Sequence, residues 1–145
     1  MSKWDRRYLT IAEEVAKWSK DPSTKVGAVI TTFDGSKILS TGYNGFPRKH
    51  DDSASLYSDR EYKYPRIVHA EANAIVNAAC SLQYAVLYCT HPCCTACAGL
   101  IINAGIKKVI WLPPSSDFNE RWKQSFETTK NMFAQCGVYF DELRN

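Results

Sequence analysis

The sequence predicts an α/β fold: a three-layer α/β/α sandwich on a five-stranded mixed sheet. Three observations carry that reading. Strand-like and helical segments alternate from residue 70 onward, which implies parallel strands joined by right-handed crossovers. Ahead of them, two β-rich stretches flank "FDGSK", an Asp-Gly turn that marks an antiparallel hairpin. The 145 residues, 45% apolar and 23% charged, suffice for one domain with a real core, assigned to residues 1–145.

Residues 6–19 read as an amphipathic helix, with Tyr8, Ile11, Ala12, Val15, Ala16 and Trp18 at helical spacing. Pro22 ends it. "VGAVITT" and "ILSTG" are the hairpin strands. Residues 43–65 are rich in Gly, Pro, Asp and Ser and read as a long connection, a length that points to function. "HAEANAIVNAA" is helical, "YAVLYCT" a strand, and "CTACAGLIINAG" a helix with Gly105 at the position favouring a left-handed turn. "IKKVIWL" is a further strand, residues 117–135 a helix, and "GVYF" a last strand. The aromatic residues of 118–133 read as core, and Cys80, Cys89 and Cys136 as buried small hydrophobes.

The net charge of +3, from 18 basic and 15 acidic residues, is too small and scattered for a polyanion binder. No apolar run reaches the roughly 18 residues of a membrane span, and "MSKWDRRYLT" lacks the apolar core of a secretion signal. The expected location is the cytoplasm or another reducing compartment, where cysteines stay reduced unless metal or catalysis employs them.

Three of the six cysteines fall in "HPCCTACAG". Thiolates and an imidazole are zinc ligands, and a catalytic zinc needs three of them with one position open. Cys94 with Cys97 and Cys93 with Cys97 both have the spacing to converge from one helix face. A helix start would favour their anionic form. His69, at the start of the preceding helix, is the natural third ligand, with His91 read as a capping or loop residue. Glu71 lies two residues on, about 200° round a regular helix, so it serves the site only if His69 stands in the non-helical cap. From there it would reach the water rather than the metal, as a proton shuttle.

"HAE" followed by a cysteine pair resembles the zinc-dependent cytidine and deoxycytidylate deaminase superfamily. "DPSTKVGAVI", "STGYNGFPR", "VHAEANAI" and "CAGLIINAGIKKV" are similar to deoxycytidylate (dCMP) deaminases over most of residues 21–109. The chain departs from the pattern at Cys93, where that family carries proline. The register of "CAGLIINAG" then selects Cys94 and Cys97.

The resemblance implies a cytidine deaminase-like fold and zinc held by His69, Cys94 and Cys97, with Glu71 as base and then acid. It implies hydrolysis of dCMP to dUMP and ammonia, supplying dUMP for thymidylate synthesis. Asn44, Ala70, Ser23, Lys25 and Arg121 are the implied substrate contacts. Many such enzymes are hexamers, activated by dCTP with magnesium and inhibited by dTTP. Asn44, Gly45, Phe46 and Arg48 are the implied effector contacts. The segment 43–65 holds only His50 and no cysteine, so no second zinc is expected. The alternatives are a deaminase of dCTP, a free nucleoside, guanine or tRNA adenosine, or a zinc-stabilised binding module without catalysis.

Overall fold

A computed structural model describes residues 2–143. Helix α1 (Lys3–Ala16) begins three residues before the sequence reading places it. The cause is a capping box: Ser2 accepts from the Asp5 amide, and the Asp5 carboxylate accepts from the Ser2 amide at 2.8 Å. The helix also ends earlier, and Trp18 is exposed rather than on its buried face.

Strands β1 (Gly27–Thr31) and β2 (Ile38–Tyr43) form the antiparallel hairpin. The connection after them contains the short helices α2 (Ala54–Ser58) and α3 (Arg60–Lys63), which the sequence reading does not place. Helix α4 (Ala70–Asn77) leads to β3 (Val86–Cys89), then α5 (Thr95–Asn103), β4 (Lys108–Trp111), α6 (Ser116–Cys136) and β5 (Tyr139–Glu142). The five strands lie in the order β2-β1-β3-β4-β5. β1 is antiparallel to both neighbours, and β3, β4 and β5 are mutually parallel.

Side chains of a strand alternate between faces, and the core divides accordingly. Val29, Val86, Tyr88 and Ile110 pack with Tyr8, Leu9 and Ala12 of α1. Ala28, Ile30, Leu87, Cys89, Val109 and Trp111 pack on the other face with Ala70 and Ala74 of α4, Ala98 and Ile101 of α5 and Phe133 of α6. That gives the three layers. Cys89 is buried as anticipated, but Cys80, in the bend after α4, and Cys136, the last residue of α6, are exposed.

Two glycines carry specific demands. Gly105 adopts φ +82° after α5, letting Ile106 return its amide to Ile101. Gly42 lets α4 lie directly on β2, where a Cβ would stand 2.3 Å from the Ala74 amide nitrogen. β2 is an edge strand, and α4 covers it. Asn73 Nδ2 donates to the Tyr43 carbonyl at 2.8 Å, Asn77 Nδ2 to Thr41 at 3.1 Å, and Ser40 Oγ returns a bond to Ala74 at 2.6 Å.

Candidate metal centre

His69 is the N-cap of α4, with extended backbone at φ −72° and ψ 155°. Cys94 is likewise the N-cap of α5, at φ −76° and ψ 168°. Neither side chain is therefore constrained to a helical direction, and both turn to meet Cys97 in the first turn of α5. His69 Nδ1 lies 3.4 Å from Cys94 Sγ and 3.5 Å from Cys97 Sγ. All three ligand atoms fall within 4.8 Å of one another.

These distances fit zinc. Tetrahedral bonds of 2.3 Å to sulfur and about 2.05 Å to nitrogen put those atoms about 3.6 Å apart. Two sulfurs and one nitrogen are also the donor set of a site that keeps a fourth position open. Cys93 is not in this group. It is fully buried among core residues, and its carbonyl accepts a 2.9 Å bond from Thr129 Oγ1. The geometry thus resolves the two cysteine pairings that spacing leaves open.

The site's electrostatics favour one thiolate. Cys97 donates to Cys94, which holds the Cys94 thiol at about 4, while Cys97 itself is pushed up. Its hydrogen bond to Cys94 also raises the His69 imidazole. Glu71 is 4% exposed in the first turn of α4, and burial raises its carboxyl. Because His69 is outside the helix and Glu71 inside it, both border the same cavity.

That cavity, about 370 Å³, is lined by His69, Ala70, Glu71 and Cys94 among others. Of the substrate residues expected from sequence, Ser23, Asn44, Ala70 and Arg121 line it. Lys25 does not; it is exposed outside the lining, and its neighbours Thr24 and Val26 face inward instead. Asn44 braces that wall, accepting from the Val26 amide at 2.8 Å and donating to the Thr24 carbonyl at 2.9 Å.

Of the residues expected at an effector site, Gly45 forms a bridge with Val68, and the Phe46 ring lies among His50, Tyr57 and Tyr62. Arg48 donates to Asn77 Oδ1 at 2.8 Å, at the far end of α4. Of this set, only Asn44 touches the cavity.

Sequence reasoning missed several lining residues. Phe118, Trp122 and Phe126 form cavity wall, so the aromatics of 118–133 are only partly core. Asp21 and Lys63 form an ion pair at 3.1 Å, with side chains 6% and 3% exposed. Arg60 and His91 also line the wall, so His91, read from sequence as a capping or loop residue, borders the cavity.

An imidazole and two thiols set for one ion, with a buried carboxyl two residues from the imidazole, on an α/β/α sandwich, define a hydrolytic deaminase of the zinc type. The family model for the cytidine and deoxycytidylate deaminase zinc-binding region matches residues 2–112, and the chain belongs to that family. An uncharacterized deaminase from the luxG 3′ region of Aliivibrio fischeri is 44% identical over 138 residues, 95% of this chain and 92% of the relative. Mouse deoxycytidylate deaminase is 35% identical over 150 residues, 94% of this chain and 78% of the relative. The crystal structure of dCMP deaminase from cyanophage S-TIM5, in complex with dCMP and dUMP, superposes with a TM-score of 0.79. It is 27% identical and covers 99% of each chain. Among the described residues, no helix is long and apolar enough to cross a membrane.

Proposed function

We propose that this chain, as a single domain, hydrolyses dCMP to dUMP and ammonia. One observation carries the reading: His69 and Cys94 of the zinc-type cluster and the buried Glu71 line the same cavity as Arg60 and Arg121. Among the described residues, neither guanidinium is paired with a carboxylate, so both are available to a phosphate. The dCMP- and dUMP-bound relative supports the same substrate.

His69, Cys94 and Cys97 would hold the zinc, which when bound would supply Lewis-acid activation of a water. Glu71 takes one proton from the attacking water and delivers it to N3 as the water oxygen bonds to C4 of the cytosine ring. Glu71 then takes the remaining proton of that C4 hydroxyl and passes it to the amino group, so the C4–N bond breaks, C4 becomes a carbonyl, and ammonia leaves with one water consumed. Burial of Glu71 keeps competing water from this exchange. The Ala70 backbone, Asn44, Ser23 and Arg121 hold the nucleotide. The product serves thymidylate synthesis.

Regulation follows the family pattern: activation by dCTP with magnesium, inhibition by dTTP, in a hexamer. It acts through Asn44, Gly45, Phe46 and Arg48, a segment tied to α4 by the Arg48–Asn77 bond.

The test is ultraviolet-monitored turnover of dCMP, deoxycytidine and cytidine, repeated with dCTP and dTTP. dCMP is expected to be preferred, and a preference for a free nucleoside overturns the assignment. Glu71→Gln is expected to keep zinc and lose about 10²- to 10⁴-fold in kcat. Turnover at the parent rate would remove Glu71 from the mechanism.

A further inference from the structure

His91 borders the cavity in the loop between β3 and α5, three residues ahead of Cys94, with its ring 4.9 Å from that of Phe118. Its tautomer is assigned by its neighbour. Thr90 is buried, and its Oγ1 accepts from the Gly27 amide at 3.1 Å. The same oxygen lies 2.9 Å from His91 Nδ1. A hydroxyl has one proton to give, and a buried one is left unsatisfied if that proton finds no acceptor. Among the described residues, His91 Nδ1 is the only acceptor within reach of it. Donation from Thr90 to Nδ1 gives that proton its acceptor and leaves the ring proton on Nε2, the tautomer assigned to His91. No described residue accepts from Nε2, which is the one polar atom of the ring left for a ligand.

We propose that His91 is a specificity-determining residue whose Nε2–H donates to an uncharged acceptor oxygen in the nucleoside half of the substrate. The inference rests on the dCMP reading of this cavity. Burial holds the imidazole below its ordinary range, so the ring is a neutral donor at neutral pH. A neutral donor suits a carbonyl or hydroxyl oxygen, whereas the phosphate has Arg60 and Arg121. Thr90 and Gly27 fix the donor in advance: the Thr90 amide also donates to the Gly27 carbonyl at 3.0 Å, so loop and first strand are pinned reciprocally.

Two measurements test this. Nitrogen-15 NMR of the zinc-loaded chain reads the tautomer directly, since His50, His69 and His91 are its only histidines. A bare Nδ1 with a protonated Nε2 is expected for His91, and the opposite tautomer overturns the proposal. The second is kcat/KM for dCMP and deoxycytidine in His91→Gln, His91→Asn and His91→Leu. Glutamine carries its amide nitrogen where imidazole Nε2 stands, and asparagine where Nδ1 stands. The Gln variant is expected within about threefold of the parent, and the Asn and Leu variants to lose about tenfold, mainly in KM and equally for both substrates. A Gln variant no better than Leu overturns the proposal. So does a loss confined to dCMP, which would make His91 a phosphate contact. A parent chain that turned over neither compound would sink the substrate reading, while the tautomer measurement still decides this one.

Discussion

Gly42→Ala tests whether the packing of α4 on β2 sets the geometry of the metal centre. A methyl at this position would stand 2.3 Å from the Ala74 amide nitrogen and 2.4 Å from the Ala70 carbonyl oxygen. Both are backbone atoms of α4, so no side chain can swing aside. Ordinary contacts begin at about 3.5 Å, so the helix must retreat by about 1 Å. The three hydrogen bonds from Asn73, Asn77 and Ser40 resist that movement. The cost falls at the upper end of overpacking, about 3 kcal/mol. For a chain of this size that lowers Tm by about 10 °C. The retreat also carries the His69 cap with it. Metal–ligand distances hold to about 0.2 Å, so a 1 Å displacement of Nδ1 should weaken zinc binding strongly. The assay is calorimetry with metal analysis on the purified variant. Gly99→Ala is the control, because nothing lies within 4 Å of its added Cβ. As a glycine inside α5, it should gain about 0.5–1 kcal/mol on substitution. If Gly42→Ala melted with the parent and kept full zinc, the coupling of helix packing to the metal centre would be wrong.

Cys94→Ala is expected to abolish stoichiometric zinc while Cys93→Ala retains it, measured by mass spectrometry of the desalted protein. Full zinc in Cys94→Ala would mean that Cys93 can turn out of the core to replace it. Lys63→Met leaves the buried Asp21 carboxylate without its cation and should cost about 3–5 kcal/mol in urea unfolding, part of it recovered when Asp21→Asn is added. A single-variant cost below about 1 kcal/mol would show that Asp21 is satisfied by the Ser23 and Thr24 amides alone.

The layers were legible because strand alternation and helix period are local signals. "VGAVI", "AVLYC" and "KVIW" became β1, β3 and β4, and the Asp-Gly turn marked the hairpin. The start of α1 was equally local and was overlooked: Ser2 with Asp5 is a capping pair three residues apart. Helices of five and four residues in the 43–65 connection are too short to display a period. Of the site, His69, Glu71 and the cysteines stood out by residue type. The choice between Cys93 and Cys94 could not be made from spacing, because it depends on Cys94 leaving the helix at the N-cap. Lys63 and Asp21 were hidden for a different reason. They are 42 residues apart, and Lys63 lies in a segment of nearly balanced charge with no period to mark it as buried.

The metal cluster joins two helix starts that the sheet holds in register with one another. His69 belongs to α4, which is held by β2 through Gly42 and three side-chain bonds. Cys94 and Cys97 belong to α5, which follows β3 in the centre of the sheet. Between β2 and β3 lies only β1, whose Gly27 amide reaches Thr90 at the start of the cysteine loop. Each ligand-bearing cap is thus fixed to the sheet within one or two hydrogen bonds of the metal site, and the caps themselves are non-helical, which frees their side chains to converge. The Cys97 and His69 hydrogen bonds lower the Cys94 thiol, and the N-terminal end of α5 favours the same negative charge. A ligand that binds only the folded chain adds to its stability, so zinc held across α4 and α5 would stabilise the sandwich as a whole.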